Sequence, residues 1–231
     1  MIVRVATIIL FASLLSGTVK VYAGQSEDRS ILLNHLFASP ALNKENLKDE
    51  LREIIRGKNK GFSADYEEIK IITLLTKPLI SSGQLWFLSS AEVLKVQLKP
   101  FVFKTKISND TIVQLDSSGK RETISVKKHA ALRAFTSAFI GLFSGDIEKL
   151  DRYYSVHKKK ETKVWRIGLR PKDSTIRRLV TGIIVSGTSR MPDTIEIFHS
   201  SGDLTRLKIT HRRSIDAPEE RKVIHDLGFD R

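Results

Sequence analysis

Two kinds of hydrophobic spacing divide this chain, and each predicts a different element of secondary structure. From residue 62 onward, apolar residues recur at nearly every second position in short segments, which Pro, Gly, Asn or Asp separate. A period of two is the spacing of a half-buried strand, so these segments predict consecutive antiparallel strands. The predicted strands are 62–71, 83–89, 93–98, 101–108, 111–116, 121–126, 154–158, 163–170, 182–189, 194–200 and 204–211.

The segment 128–143 interrupts the strands with the spacing of a helix. Four of its apolar residues recur at i, i+3, i+7 and i+10 and therefore share one face. They are Leu132, Phe135, Phe139 and Leu142. Phe143 lies beside this face, so the predicted helix has a large aromatic side. Shorter helices are predicted at 26–37, 44–56, 147–153 and after Pro218.

The first 23 residues have the layout of a secretory signal peptide. Arg4 precedes an apolar run of 11 residues, Val5 to Leu15, and small residues lead to Val21-Tyr22-Ala23. An apolar run of this length is too short for a bilayer, which needs about 20 residues. We therefore predict cleavage after Ala23, with an uncleaved anchor as the alternative. No long polar linker follows, so we predict one domain over 24–213 and a charged tail over 214–231.

The composition of the chain excludes several classes of protein and of binding partner. The 231 residues contain no cysteine, which excludes disulfide scaffolds, thiol nucleophiles and cysteine-ligated metal sites. A secreted chain without disulfides indicates the periplasm of a Gram-negative bacterium. The net charge is +13, or +11 once Arg4 and Lys20 leave with the signal. The basic residues form dispersed clusters, and secretion argues against nucleic acid, so we expect transient contact with anionic membranes. A solvated basic surface without a specific partner is the alternative.

No motif in the sequence predicts catalysis. The six histidines lack the spacing of a helical metal site, and the nucleophile elbow and phosphate-binding loops are absent. We therefore predict no catalytic residue, no metal and no cofactor. An envelope hydrolase is the weakest hypothesis, since it would need His199 or His211 to meet an acid in a cleft.

The aromatic helix inside a framework of strands is the feature that points to a function. Strand faces and helix together could enclose an apolar cavity without a convergent polar set, which suits an acyl chain. The candidate cavity and lid residues are Leu85, Phe87, Leu94, Val96, Phe101, Phe103, Leu132, Phe135, Phe139, Leu142, Phe143, Trp165, Ile167 and Leu169. An ordinary filled core is the alternative interpretation.

Five motifs, in order, resemble the periplasmic outer-membrane lipoprotein carriers, the LolA-like family, over roughly residues 47–212. The first is Phe62-Ser63-Ala64-Asp65-Tyr66, which resembles the first strand of the family. The others are Gly83-Gln84-Leu85-Trp86-Phe87 with the later Pro100-Phe101, the stretch Phe139 to Asp146 with Leu150, Trp165 to Asp173, and Gly202-Asp203-Leu204-Thr205.

This resemblance implies an α+β fold, an incomplete antiparallel barrel of about eleven strands under a helical lid. It implies a carrier, not an enzyme, that shields acyl chains of lipoproteins or a related lipid. Its partners would be an inner-membrane release complex and an outer-membrane acceptor, and we expect a monomer. The chain departs from the family where Ser89 replaces a basic residue that latches the lid and where Lys95 replaces a tryptophan. A scaffold protein that binds envelope partners without enclosing a ligand is the alternative function.

Overall fold

The protein is described by a computed structural model that covers residues 23–54, 61–144, 146–159, 164–188 and 191–230. The predicted signal peptide lies outside the described residues except for Ala23, and so does the end of the helix predicted at 44–56. Within the described ranges, no helix combines the length and the apolar character that crossing a membrane requires.

Eleven strands form one antiparallel sheet. They are β1 (Gly61–Ile71), β2 (Leu79–Phe87), β3 (Val93–Lys99), β4 (Phe103–Ile107), β5 (Thr111–Leu115), β6 (Arg121–Ser125), β7 (Tyr154–Lys159), β8 (Trp165–Pro171), β9 (Val180–Gly187), β10 (Thr194–His199) and β11 (Leu204–Ile215). Their order is β6-β5-β4-β3-β2-β1-β11-β10-β9-β8-β7, so β6 and β7 are edge strands and the sheet stays open. The predicted α+β fold with an incomplete antiparallel barrel is confirmed.

Six α-helices accompany the sheet in the described part of the chain. They are α1 (Ala23–Ala38), α2 (Lys44–Ile54), α3 (Ala130–Ser144), α4 (Ile147–Tyr153), α5 (Ser174–Arg177) and α6 (Ala217–Asp226). Only α5 lacks a counterpart among the predictions. Its start could have been found, because Asp173 caps it by accepting hydrogen bonds from the amides of Thr175 (2.6 Å) and Ile176 (3.3 Å).

One face of the sheet, here called the concave face, packs against α3. Phe143 of α3 lies 5.1 Å from Phe87 and 5.7 Å from Phe62, measured between ring centroids, and 5.1 Å from Phe139. Such distances are those of favourable aromatic pairs. The C-terminal half of α3 is therefore anchored on the first residues of β1 and the last residues of β2.

The opposite, convex face is covered by α1 and α6. Leu33 and Leu36 of α1 pack on Ile184 and Phe198, and the close approach depends on Gly182, where a Cβ would lie 2.7 Å from Phe37. Residues of α6 and its C-terminal end pack on the far end of the sheet. These contacts include Val223, Ile224, Leu227 and Phe229 against Leu88, Leu94 and Val113. The predicted domain boundary at residue 213 therefore falls inside β11, and the tail is part of the packed fold.

Ser89 has a role on this convex side. Its amide donates to Oε1 of Glu220 at 2.9 Å, and its hydroxyl donates to Oε2 at 2.7 Å. Glu220 belongs to α6 and is 7% exposed. Ser89, which stands where the resemblance placed a lid latch, therefore fastens the C-terminal helix to the β2–β3 turn.

Candidate functional site

A cavity of about 360 Å³ lies between the concave face and α3. Strands β1 to β5 and β9 to β11 form most of its wall. The rest of the lining comes from α3, α5, Tyr154 of β7, Leu179 and the β10–β11 turn. Most of the lining is aliphatic or aromatic. These apolar residues include Leu85, Val93, Ile107, Ile112, Leu132, Phe135, Phe139, Ile183, Ile195 and Leu207.

Polar side chains form a continuous band across the same wall, which we call the polar belt. The belt consists of His199, Thr205, Lys70, Glu68, Lys95, Gln97, Thr105 and Gln114. Neighbouring strands bring its members together, because Thr205 pairs with Lys70 and Thr105 pairs with both Lys95 and Gln114. Side chains two positions apart on a strand share a face, so all of these residues can point into one cavity.

Along three strands the belt residue lies nearer the loops than the apolar lining residue two positions away. Stepping two residues along the strands leads from Lys95 to Val93, from Thr105 to Ile107 and from Thr205 to Leu207. In each case the polar residue is nearer the end of the sheet that carries the β1–β2, β3–β4 and β10–β11 connections. The cavity is therefore amphipathic. Most of its polar side chains lie towards these loops, which we call its polar end, and α3 covers the other end, although apolar Leu85 and Leu207 lie opposite Lys95 and Glu68.

Three charged groups lie at the centre of the belt. Glu68, which is 7% exposed, lies with Oε2 at 2.5 Å from the Lys95 ammonium and Oε1 at 3.0 Å from the Lys70 ammonium. Burial opposes ionisation of Glu68, but the two lysines outweigh it and lower the pKa of its carboxyl group to about 2. Burial lowers the pKa of Lys70, and the attraction of Glu68 opposes that change. Lys95 also lies 4.9 Å from the ring centroid of Tyr66.

His199 ends the belt at the β10–β11 turn. Its Nε2 lies 3.1 Å from the hydroxyl of Thr205, and burial lowers its pKa, while the nearby Asp203 opposes that shift. Asp203 accepts hydrogen bonds from the amide and the hydroxyl of Thr73, at 2.8 and 3.0 Å. These contacts tie the turn to the β1–β2 connection.

Five of the predicted lining residues do line the cavity: Leu85, Phe103, Leu132, Phe135 and Phe139. Another set lies in the packed core beside it. This set comprises Phe87, Leu142, Phe143, Ile167 and Leu169, which are buried, and Trp165, which packs against them.

Three predicted residues lie elsewhere. Leu94 is buried beneath α6 on the convex face, and Val96 shares that face of β3 because it lies two residues further along. Phe101 is 37% exposed in the β3–β4 connection. Both faces of β3 are covered, so its hydrophobic pattern could not tell which face meets the cavity. The sequence analysis chose Leu94 and Val96 as the lining residues of β3, whereas in the structure Val93, Lys95 and Gln97 face the cavity.

The sequence also led us to expect a cavity without converging polar groups, and the polar belt corrects that expectation. A signal for it exists in the sequence, because Glu68 and Lys70, and likewise Lys95 and Gln97, are spaced by two on predicted strands. The spacing places each pair on one face of its strand. It does not predict that the pair on β1 and the pair on β3 come together on the same side of the sheet, on either side of β2.

The ion cluster makes a testable prediction for stability. The folded pKa of Glu68 lies below its ordinary value of 4.5, so ionised Glu68 stabilises the fold above that pH. This contribution is lost as the pH falls from about 4.5 towards about 2. Glu68→Gln is expected to be less stable than the wild type at pH 7, with the difference shrinking over that window in urea unfolding. Glu122→Gln, at an exposed carboxylate on β6, is the control and should leave the pH dependence of the free energy of unfolding unchanged. If the free energy of unfolding of Glu68→Gln differed from that of the wild type by the same amount at every pH, the stabilising role of ionised Glu68 would be contradicted.

Nothing in the described residues gathers three or more His, Asp or Glu side chains in a way that could hold a metal ion. His199 contacts Thr205, whereas His211 contacts Asp65 at 3.1 Å on the exposed surface further along β11. His199 lines the cavity with Asp203 nearby, whereas His211 and Asp65 lie on the surface, so the two histidines do not meet.

The chain was compared with known proteins. No curated protein sequence matches it. Among solved structures, a LolA superfamily protein from Nitrosomonas europaea has 9% identity and a TM-score of 0.46, with 78% of this chain and 97% of that chain covered. A putative outer membrane lipoprotein-sorting protein domain from Vibrio parahaemolyticus has 14% identity and a TM-score of 0.45, with 79% and 99% covered. MucB from Pseudomonas aeruginosa, in its complex with MucA, has 15% identity and a TM-score of 0.40, with 78% and 60% covered.

One family model matches more than half of the chain, over residues 51–221. The matched range begins in α2, includes all eleven strands and ends in α6, so it contains the sheet, α3 and the whole cavity. The chain therefore belongs to the family described as outer membrane lipoprotein carrier protein, LolA-like.

Proposed function

We propose that this protein is a periplasmic carrier that binds the acyl chains of a lipoprotein or a related lipid and takes them towards the outer membrane. The observation that carries the proposal is the amphipathic cavity beneath α3. An apolar end lined by Phe135, Phe139 and Leu132 suits a hydrocarbon chain, and a polar end at the loops suits its headgroup.

Size and energetics support the proposal. The volume of about 360 Å³ falls within the range of about 300–1,000 Å³ that small-molecule sites occupy. Each methylene group that moves from water into such a lining contributes about 0.8 kcal/mol. Family membership agrees, because LolA-like proteins are typically periplasmic lipid- or lipoprotein-binding proteins of Gram-negative bacteria and are generally carriers rather than enzymes. A carrier of this kind would receive cargo from an inner-membrane release complex and give it to an outer-membrane acceptor.

The loops at the polar end carry a further supporting feature, which we call the loop rim. It consists of Leu74, Leu75, Ile80, Leu98, Phe101 and Val102, which are exposed, together with Lys77 and Lys99. Residues 71–80 and 97–103 contain these two lysines and no acidic residue. Apolar side chains flanked by lysines suit the interface of an anionic bilayer. We propose that the rim touches such a membrane while cargo enters or leaves.

Acidic substitutions test the rim. The double variant Leu74→Glu with Phe101→Glu should bind phosphatidylglycerol vesicles at least about tenfold more weakly in a flotation assay, since it removes apolar contacts and adds repulsion. Ile31→Glu is the matched control, because Ile31 is exposed on α1 on the convex side. Equal losses in the two proteins would contradict a membrane role for the rim.

Uptake of an acyl probe tests the carrier function itself. Protein stripped of lipid by denaturation and refolding is titrated with a fluorescent fatty acid, and saturable binding of one probe per chain is expected. Membrane binding at low salt without any uptake of the probe would instead favour the scaffold alternative.

A further inference from the structure

We infer that a second binding site lies on the convex side of the sheet and takes a small organic anion, whose carboxylate or phosphate group Arg170 and Arg177 recognise. The site is a groove of about 380 Å³, here called the outer groove. It lies between α1 on one side and α5 and the β10–β11 turn on the other. The outer groove shares only His199 and Asp203 with the lining of the cavity beneath α3, so this inference does not depend on the proposed carrier function.

The floor of the outer groove is apolar. Its apolar lining residues are Leu33 and Phe37 of α1, Phe198 of β10 and Leu204 of β11. The volume of about 380 Å³ falls within the range of about 300–1,000 Å³ that small-molecule sites occupy. The groove therefore suits a ligand with an apolar body, which an inorganic ion lacks.

Arg170 places a positive charge beside this floor. Its guanidinium carbon lies 5.6 Å from the centroid of the Phe37 ring, which is the distance of a cation–π contact. The Arg170 side chain is otherwise exposed. Its contact with Phe37 limits the positions it can adopt and keeps the charge at the groove.

Arg177 is held near Arg170 by the backbone. Its Nη1 donates to the carbonyl oxygens of Pro171 at 2.9 Å and of Lys172 at 2.6 Å, and Pro171 directly follows Arg170 in the chain. These two bonds use both hydrogens of Nη1. Among the described residues, Nε and Nη2 have no hydrogen-bond partner, and this edge of a guanidinium matches a carboxylate or a phosphate in two parallel bonds.

The carboxylates near the groove do not neutralise the two arginines. Asp203 lines the groove, but both of its carboxylate oxygens accept hydrogen bonds from loop residues. Asp173 attracts Arg177, while its Oδ1 accepts the bonds that cap α5. No described carboxylate forms an ion pair with Arg170 or Arg177, so the groove offers both charges to an anionic ligand.

Four small ligands test the inference by isothermal titration calorimetry of the wild type. They are benzoate, phenyl phosphate, benzamide and inorganic phosphate. Benzamide has the shape of benzoate without its charge, and inorganic phosphate has the charge without an apolar body. Benzoate or phenyl phosphate should bind at least about tenfold more tightly than either of these two, and the tighter anion identifies the group that the ligand carries.

Variants connect the binding to the groove. Arg170→Met combined with Arg177→Met should weaken binding of the preferred anion at least about tenfold, and Arg170→Met alone at least about threefold, with benzamide unaffected. Urea unfolding establishes that both variants fold. Arg178→Met is the matched control, because Arg178 is exposed directly after α5 and does not line the groove, and it should bind within about twofold of the wild type.

A vesicle assay separates two sources of the anionic group. If the group belongs to a lipid headgroup, the double arginine variant should bind phosphatidylglycerol vesicles more weakly than Arg178→Met does. If the ligand is a free molecule, the two variants should bind the vesicles equally, while the difference in calorimetry persists.

Three results would overturn the inference. Wild-type protein that binds neither benzoate nor phenyl phosphate would exclude the site, and equal affinity for benzoate and benzamide would exclude recognition of the charge. Loss of binding in Phe135→Asp, together with normal binding in the double arginine variant, would place the ligand in the cavity beneath α3 instead. None of these results decides whether acyl chains are taken up, so the carrier function is tested separately.

Discussion

Phe135→Asp is expected to reduce the affinity for a fluorescent fatty acid by at least about a hundredfold, or about 2.7 kcal/mol. Phe135 lines the cavity, and its ring centroid lies 6.2 Å from that of Phe139. The substitution removes an aromatic contact from the hydrocarbon chain and puts a charge in its place, which an apolar ligand cannot solvate. Titration of the delipidated protein measures the loss.

The control for this result lies on the same helix. Ser137→Asp introduces the same charge into α3 at a residue that does not line the cavity, and uptake should stay within about twofold of the wild type. Circular dichroism of both variants establishes that they fold. Normal uptake by folded Phe135→Asp would mean that acyl chains do not bind beneath α3.

The second large effect concerns stability. Glu196 is 1% exposed on the convex face and lies 2.8 Å from Arg206 and 3.3 Å from Arg29 of α1. Glu196→Gln removes the anion between these two guanidinium groups. Breaking a buried ion pair in this way costs about 3–5 kcal/mol, so the free energy of unfolding in urea should fall by about that amount.

Arg29→Met is the informative comparison, because the Arg29 side chain is 38% exposed and has water to replace its partner. It should cost less than about 1 kcal/mol, in the range of surface ion pairs. Equal costs for the two variants would show that Glu196 acts through its contact with α1 alone.

The strands and the aromatic helix could be predicted from the sequence, because each depends on local spacing, whereas the open barrel was implied by the resemblance to the LolA-like family. Period-two segments predicted β3 and β8 within a residue or two, and the spacing of Phe135 and Phe139 predicted α3. The side of β3 that faces the cavity could not be predicted in the same way. Leu94 and Val93 are both buried, one beneath α6 and one against the cavity, so the pattern of β3 contains no preferred face.

The polar belt could not be predicted for a related reason. Lys70 and Lys95 belong to different strands, and their shared contact with Glu68 depends on the register of β1, β2 and β3. A register is a property of the assembled sheet and not of any one segment. The replacement of a family tryptophan by Lys95 was visible in the sequence, whereas the carboxylate that receives the lysine became visible only in the structure.

Native mass spectrometry of the protein purified from its own cell envelope without detergent is the most direct test of the central claim that the cavity carries acyl chains. The carrier account predicts a population with the additional mass of one acylated molecule per chain, and the loss of that population in Phe135→Asp. Wild-type protein that carries no such mass, and that also fails to take up a fatty acid after delipidation, would contradict it.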